Sequence, residues 1–368
     1  MRCRLLVYVN LLLLLATSSC SQKEAPTHDT TSEPDIQTKQ VNDAPQYSLT
    51  ANALWLKGQV ALDNALQSAD TLATVTQTLL SKPTDKHLRT AQTAWHNLAD
   101  KLQTFFVYTH LSSLAPKQYG ALASHHFNIA AWPVQPGFLD GFGPYPFSGI
   151  VNDVGIPLTL DTLRAQHGMT DDSDVSLGTY AIEFLLFGER NLRGHLTLRK
   201  VSALGEEMKK RGYTSAAELP FNRRRALLAL QTDALIQDLN LLAQYWQQGP
   251  YGDINIADKN ATLELLLLEE TLVSHARDIE SQRKDPLLST TELKNWKTSQ
   301  LAQRLQGQTQ GMASLISDQN SLLAKAITNL DKSYAALANT QTGKEDWKDV
   351  ALALQNVSAA LSAKNPMP

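Results

Sequence analysis

The chain has 368 residues, two cysteines, 43% hydrophobic residues and a formal charge of −3. With no basic stripe and an acidic balance, it lacks the electrostatic footprint of a nucleic-acid binder. Its length is enough for two compact domains.

Arg2 and Arg4 precede an apolar run from Leu5 to Ala16, interrupted by Asn10, and then Thr17-Ser18-Ser19-Cys20. This is the pattern of an export leader. It is shorter than the about 20 apolar residues a spanning helix needs. Small residues before a cysteine mark lipoprotein processing, so residues 1–20 read as a signal peptide and Cys20 as the lipidated anchor to a bilayer. Cys3 leaves with the leader, so no cysteine remains for a disulfide or a thiolate metal site. Ser21, rather than an aspartate, follows Cys20, which favours the periplasmic face of the outer membrane. Residues 21–45 are rich in Ser, Thr, Asp, Gln and Pro and read as a flexible linker.

From about residue 46 the apolar spacing is helical. One helix is predicted over 49–80. Thr84 is a candidate N-cap for the next, whose stripe is Leu88, Ala91, Trp95, Leu98, Leu102 and Phe105. His96, beside Trp95, reads as structural. Between Leu114 and Pro157 the period fails and Pro and Gly crowd in, giving a long crossover. Its aromatics, Phe127, Trp132, Phe138, Phe142, Tyr145 and Phe147, predict that it is packed. His125-His126 reads as a polar loop pair. Helices are then expected over 157–166 and 178–212. A stripe through Leu228, Leu235, Leu239, Leu242 and Trp246 stops at Gly249-Pro250. Arg223-Arg224-Arg225, at the start of that helix, reads as a solvated face. Further helices are expected over 261–281, 291–306, 308–329 and 344–363. His275 reads as a surface histidine paired with Asp278, three residues on. No strand-period run or repeat is present, so the fold class is all-α.

The segment Gly178-Thr179-Tyr180-Ala181-Ile182-Glu183-Phe184-Leu185-Leu186-Phe187-Gly188 sets a glutamate in an apolar helical run. Tyr180 and Glu183 share a helix face, and a carboxylate taken out of water needs a cation, a donor or a proton. Gly178, Tyr180 and Glu183 are therefore the candidate site. In one reading the phenol and carboxylate are hard oxygen ligands suited to ferric iron. Asp140, His125, His126 and Asp153 are the further ligand candidates. In the other reading Tyr180 bonds to Glu183 or to backbone, and Glu183 ties down the crossover through main-chain donors.

This segment resembles the imelysin-like family, whose signature is Gly-x-His-x-x-Glu followed by an aromatic-Leu-Leu-aromatic-Gly tail, with Tyr180 here in place of the histidine. Ala94-Trp95 and Ile129-Ala130-Ala131-Trp132-Pro133-Val134 extend the likeness across most of residues 46–285. The arginine and glutamate usual after the early tryptophan are absent, Ala99 and Phe106 standing near their places. The resemblance implies two adjacent helical bundles of about four helices each, taken here as 46–190 with the crossover and 191–366, and a site near their junction. It also implies bacterial iron uptake. The expectation is a lipid-anchored, non-catalytic protein that binds iron or a small ligand there, with an outer-membrane transport protein as a possible partner. The alternative is an interaction module for such a receptor or transporter. A metallopeptidase is disfavoured, because no His-Glu-x-x-His is present and a zinc hydrolase needs three protein ligands and a base.

Overall fold

The computed structural model describes residues 46–249, 262–285, 290–339 and 347–364. The predicted leader, anchor cysteine and linker lie outside the described residues. The fold is all-α. Among the described residues the only extended pairing is an isolated bridge between Phe142 and Tyr145, and no helix is long and apolar enough to cross a membrane.

The principal helices are α1 (Gln46–Ser81), α2 (Asp85–Phe106), α3 (Ala121–Ala130), α4 (Leu160–Gln166), α5 (Thr179–Phe187), α6 (Pro220–Gln247), α7 (Leu263–Arg283), α8 (Thr291–Ser314), α9 (Leu322–Ala338) and α10 (Lys348–Lys364). Helices α1, α2, α5 and α6 close one ring of contacts, and α7 to α10 close another. Helix α2 packs on α8 and so joins the two rings. Helix α6 thus packs chiefly on α1, α3 and α5, on the N-terminal side of residue 190, and also on short turns at 195–198 and 216–218.

The α2 stripe behaves as its spacing predicts. Thr84 accepts from His87 N at 3.2 Å, which satisfies one of the free donors of the first turn. Leu88, Ala91, Trp95, Leu98, Leu102 and Phe105 are all buried. Between α1 and α6, Trp55 stacks on Trp246 with ring centroids 3.8 Å apart.

The predicted helix over 178–212 stops at Phe187. Gly188 takes φ 69°, Arg190 and Asn191 follow with φ 52° and 60°, and Arg193 N donates to Phe187 O at 2.7 Å. This left-handed exit is a common helix stop. Short 3-10 turns follow at Glu189–Asn191 and His195–Leu198, with one further short helix at Glu206–Lys210. The predicted break near residue 307 is absent, and α8 runs through it to Ser314. The next helix starts only at Leu322, where Ser321 accepts from Ala324 N at 3.2 Å. The crossover also holds more helix than its Pro and Gly content predicts, including all of α3.

Continuity of α8 through Gly307 and Gly311 has a packing cause. A Cβ on Gly307 would lie 2.8 Å from Gln103 Cβ, and one on Gly311 would lie 2.5 Å from Thr104 O. The two glycines let the α8 backbone lie directly on α2. Gly311→Ala must force the rings apart at a backbone atom, and an overpacking cost of about 1 to 3 kcal/mol is expected in chemical denaturation.

The crossover packs through Phe127, Trp132, Phe138 and Phe142, whereas Tyr145 and Phe147 are 68% and 74% exposed. That corrects the expectation for these two. The basic triple is also not a solvated face, because Arg223 and Arg224 are buried. Arg223 donates to the carbonyls of Ile150, Val151, Asp153 and Ile156 at 2.7 to 3.0 Å. Arg224 grips Asp140 through two hydrogen bonds of 2.6 and 2.9 Å. Carbonyls left over by a turn-rich loop need donors, and an arginine fork at the start of a rigid helix supplies several at once.

Candidate ligand site at the bundle junction

Gly178 opens α5 at φ 88°, a region that disfavours side chains. A Cβ there would lie 2.7 Å from Ile129 O. The close approach lets Thr179 Oγ1 donate to that same carbonyl at 2.9 Å. Trp95 Nε1 donates to Thr179 O at 2.7 Å. The early tryptophan and the glycine of the motif therefore fix where α5 begins, and hence where its next side chains point.

Tyr180 and Glu183 are both buried, at 4% and 7% exposure, and each has its own partner. Gln103 Nε2 donates to the Tyr180 hydroxyl at 2.6 Å. Gln300 Nε2 donates to Glu183 Oε1 at 3.0 Å. Tyr180 was expected to bond Glu183 or backbone and Glu183 to bond main-chain donors of the crossover, whereas side-chain amides of α2 and α8 take these places. Burial pushes the Glu183 carboxyl up to about 7, against the opposing pull of Gln300 and the Lys297 ammonium. Burial lowers Lys297 to about 8, partly offset by Glu183 and Asp285. The Tyr180 phenol is also pushed up by burial, further than nearby Arg304 draws it down.

From Tyr180 a chain of buried hydrogen bonds crosses into the second ring. Gln308 Nε2 donates to Gln103 Oε1 at 2.7 Å. Gln308 Oε1 meets His275 Nε2 at 2.8 Å, and His275 Nδ1 meets the Tyr334 hydroxyl at 2.9 Å. The amide orientations set the sense, so His275 donates from Nε2 and accepts from Tyr334 at Nδ1. His275 is fully buried, and burial lowers it to about 3. The surface reading of His275 is overturned. Asp278, its expected partner, instead pairs with Arg304. Gln308→Leu removes the central link and leaves buried groups on Gln103 and His275 unpaired. A loss of about 2 to 6 kcal/mol is expected by denaturant titration, at the usual 1 to 3 kcal/mol for each of the two orphaned groups.

Glu183 and Tyr180 line a small pocket with Trp132, Val134, Phe184, Trp296, Lys297 and Gln300, whose free volume is about 10 Å³. That is near the minimum for one water molecule. Lys297 Nζ lies 4.9 Å from the centroid of the Trp296 ring and 5.5 Å from that of Trp132. Trp296 Nε1 and Gln300 Oε1 are buried without a hydrogen-bond partner. Lys297, Gln300, Arg304 and Gln308 form a polar stripe at 3, 4 and 4 on one helix. That spacing was visible in the sequence, and its burial was not.

The other ligand candidates lie elsewhere. Asp140 is held by Arg224 and by Arg193, the latter at 3.1 Å. His125 and His126, expected as a polar loop pair, lie instead within helix α3, where His126 packs on Phe106 and His125 on Tyr245. Asp153 Oδ1 accepts from Gly155 N at 2.8 Å. Among the described residues no group of three or more His, Cys, Asp or Glu side chains is placed to hold a metal ion. The donors at the junction do not fit a bare ferric ion: the phenol is held protonated, one carboxyl stands beside it, and Lys297 and Arg304 bring positive charge.

Fold and site together define an all-helical protein of two packed rings with a polar junction between them. The chain matches the imelysin family model over residues 59–361 and belongs to that family, which is classed with the M75 peptidases. No curated protein matches it.

Proposed function

We propose that this imelysin-family chain is a non-catalytic binding protein of the cell envelope, anchored through Cys20 and facing the periplasm, whose junction pocket takes a small polar ligand. The observation that carries the reading is that Glu183, Lys297, Trp296 and Gln300 line one aromatic-walled pocket, where Trp296 Nε1 and Gln300 Oε1 are buried and unpartnered. Buried polar groups without partners are rare and call for an occupant. A place in iron or metal uptake, beside an outer-membrane transport protein, fits this reading only with a cargo other than a bare ion.

The test is a thermal-shift panel of small amines, carboxylates and chelated ferric iron against the full chain and its Trp296→Phe variant. A shift present in the parent and lost in the variant supports the pocket. No shift with any compound sinks it. The anchor is tested separately: Cys20→Ser should release the protein from the membrane fraction, and its retention there would refute lipidation at that residue.

A second reading, an interaction module for an outer-membrane receptor or transporter, is favoured by the exposure of Tyr145 and Phe147 on the crossover. Exposed aromatics of this kind are typical of interface anchors. Loss of membrane-protein crosslinking in Tyr145→Ser/Phe147→Ser, with stability unchanged, is the expected result under it.

A further inference from the structure

We infer that the junction pocket is a cage for a small primary alkylammonium ligand, and that Lys297 is its resident competitor. The inference rests on the small-ligand reading above and names the ligand class. Trp132 and Trp296 present ring faces within 6 Å of one ammonium, the distance at which cation–π attraction operates. Phe184 and Tyr180 add to the aromatic lining, and Glu183 brings a carboxyl to it.

Lys297 is held here by the two indole faces, by the charges of Glu183 and Asp285 and by a long hydrogen bond of 3.4 Å to Val134 O, and its side chain is partly exposed. Its four-carbon stem can swing out to water. With Lys297 in place the free space is about 10 Å³, so a ligand enters only as Lys297 leaves. The acceptors then point to the class. Gln300 Oε1 has no donor, and Glu183 receives one from Gln300. Both can accept N–H bonds, which a primary ammonium donates and a quaternary one cannot. An ammonium leaves the Trp296 Nε1 donor unanswered, whereas an anionic ligand would take that donor but meet the Glu183 carboxyl once Lys297 is displaced.

Titrate the full chain calorimetrically at pH 7 with n-butylammonium, tetramethylammonium and butyrate at matched ionic strength, following the indole N–H resonances of Trp132 and Trp296. Use the parent, Lys297→Met and the double variant Lys297→Met/Glu183→Gln, with Lys297→Gln as a second replacement if the methionine variant does not fold. Butylammonium is expected to bind Lys297→Met at least tenfold more tightly than the parent. The double variant should lose at least tenfold of that gain, tetramethylammonium should bind more weakly than butylammonium, and butyrate should not bind. Equal butylammonium affinity in parent and Lys297→Met overturns the competitor role. Binding of butyrate in place of butylammonium overturns the ligand class and leaves the small-ligand reading standing. No binding of any probe to any of the proteins, joined to a silent thermal-shift panel, removes both.

Discussion

Asp140→Ala should destabilise the fold severely. Asp140 is 2% exposed and lies between two guanidiniums, with Arg224 Nε at 2.6 Å and Arg193 Nη2 at 3.1 Å. Burial alone would raise its carboxyl, but the hydrogen bonds and charges of Arg224 and Arg193, with Gly141 N–H, outweigh it and hold the group below the usual range. Removing the carboxylate leaves two buried cations facing each other. Breaking a buried ion pair from one side typically costs 3 to 5 kcal/mol, so a loss of about that size is expected in denaturant unfolding. Asn in place of Asp keeps the shape and part of the hydrogen bonding, and should recover only a minor share. An unchanged midpoint for Asp140→Ala would mean that the arginines find water or other carbonyls.

The position of Asp140 explains why this effect concerns the site. Its backbone lies in the crossover, Arg193 follows the end of α5, and Arg224 belongs to α6. Arg193 also donates to Phe184 O at 3.2 Å, on the helix that carries Tyr180 and Glu183. The ion triad therefore fixes the C-terminal end of α5, as Gly178 and Trp95 fix its start. Positioning residues of this kind are expected to act on the pocket through stability and geometry, without touching a ligand.

How much of this was legible beforehand depended on whether a side chain's environment is set locally. The α2 stripe and the Thr84 cap follow from spacing and from a single turn, and the structure has both. The burial of Glu183 is legible because a carboxylate in an apolar run is anomalous wherever it falls. Arg223, Arg224 and His275 were misplaced because polar residues on long helices default to solvent unless a distant segment covers them. The carbonyls that Arg223 binds lie about 70 residues away in sequence, and Gln308, which covers His275, lies 33 away. The break expected near residue 307 fails for the same reason, since Gly307 and Gly311 mark contact with another backbone. The polar stripe of α8 is the part of the junction that a local reading could have flagged, since two glycines and four polar residues share one side of an otherwise continuous helix.

The pH dependence of stability should carry the signature of the buried glutamate. Glu183 stands at about 7 in the folded protein, against a reference value of 4.5. A carboxyl raised on folding stabilises the fold fully below its unfolded pKa, and that contribution is lost as pH climbs through the folded value. Between pH 4.5 and 7 the parent should therefore lose on the order of 2 to 3 kcal/mol relative to Glu183→Gln, from the size of the shift and about 1.4 kcal/mol per unit. Lys297 acts with the opposite sign in a different window. Lowered to about 8 from 10.5, it disfavours folding while protonated, and that penalty is relieved as pH rises through 8 towards 10.5. The parent should consequently show a shallow stability minimum near pH 7 to 8 that Glu183→Gln flattens on its acidic side and Lys297→Met on its basic side. Paired denaturant titrations across pH 4 to 10 measure both slopes. If the difference between parent and Glu183→Gln does not change from pH 4.5 to 7, Glu183 is ionised at its ordinary pKa. The junction is then a closed ion pair with Lys297, and its aromatic cage is not available to an outside cation.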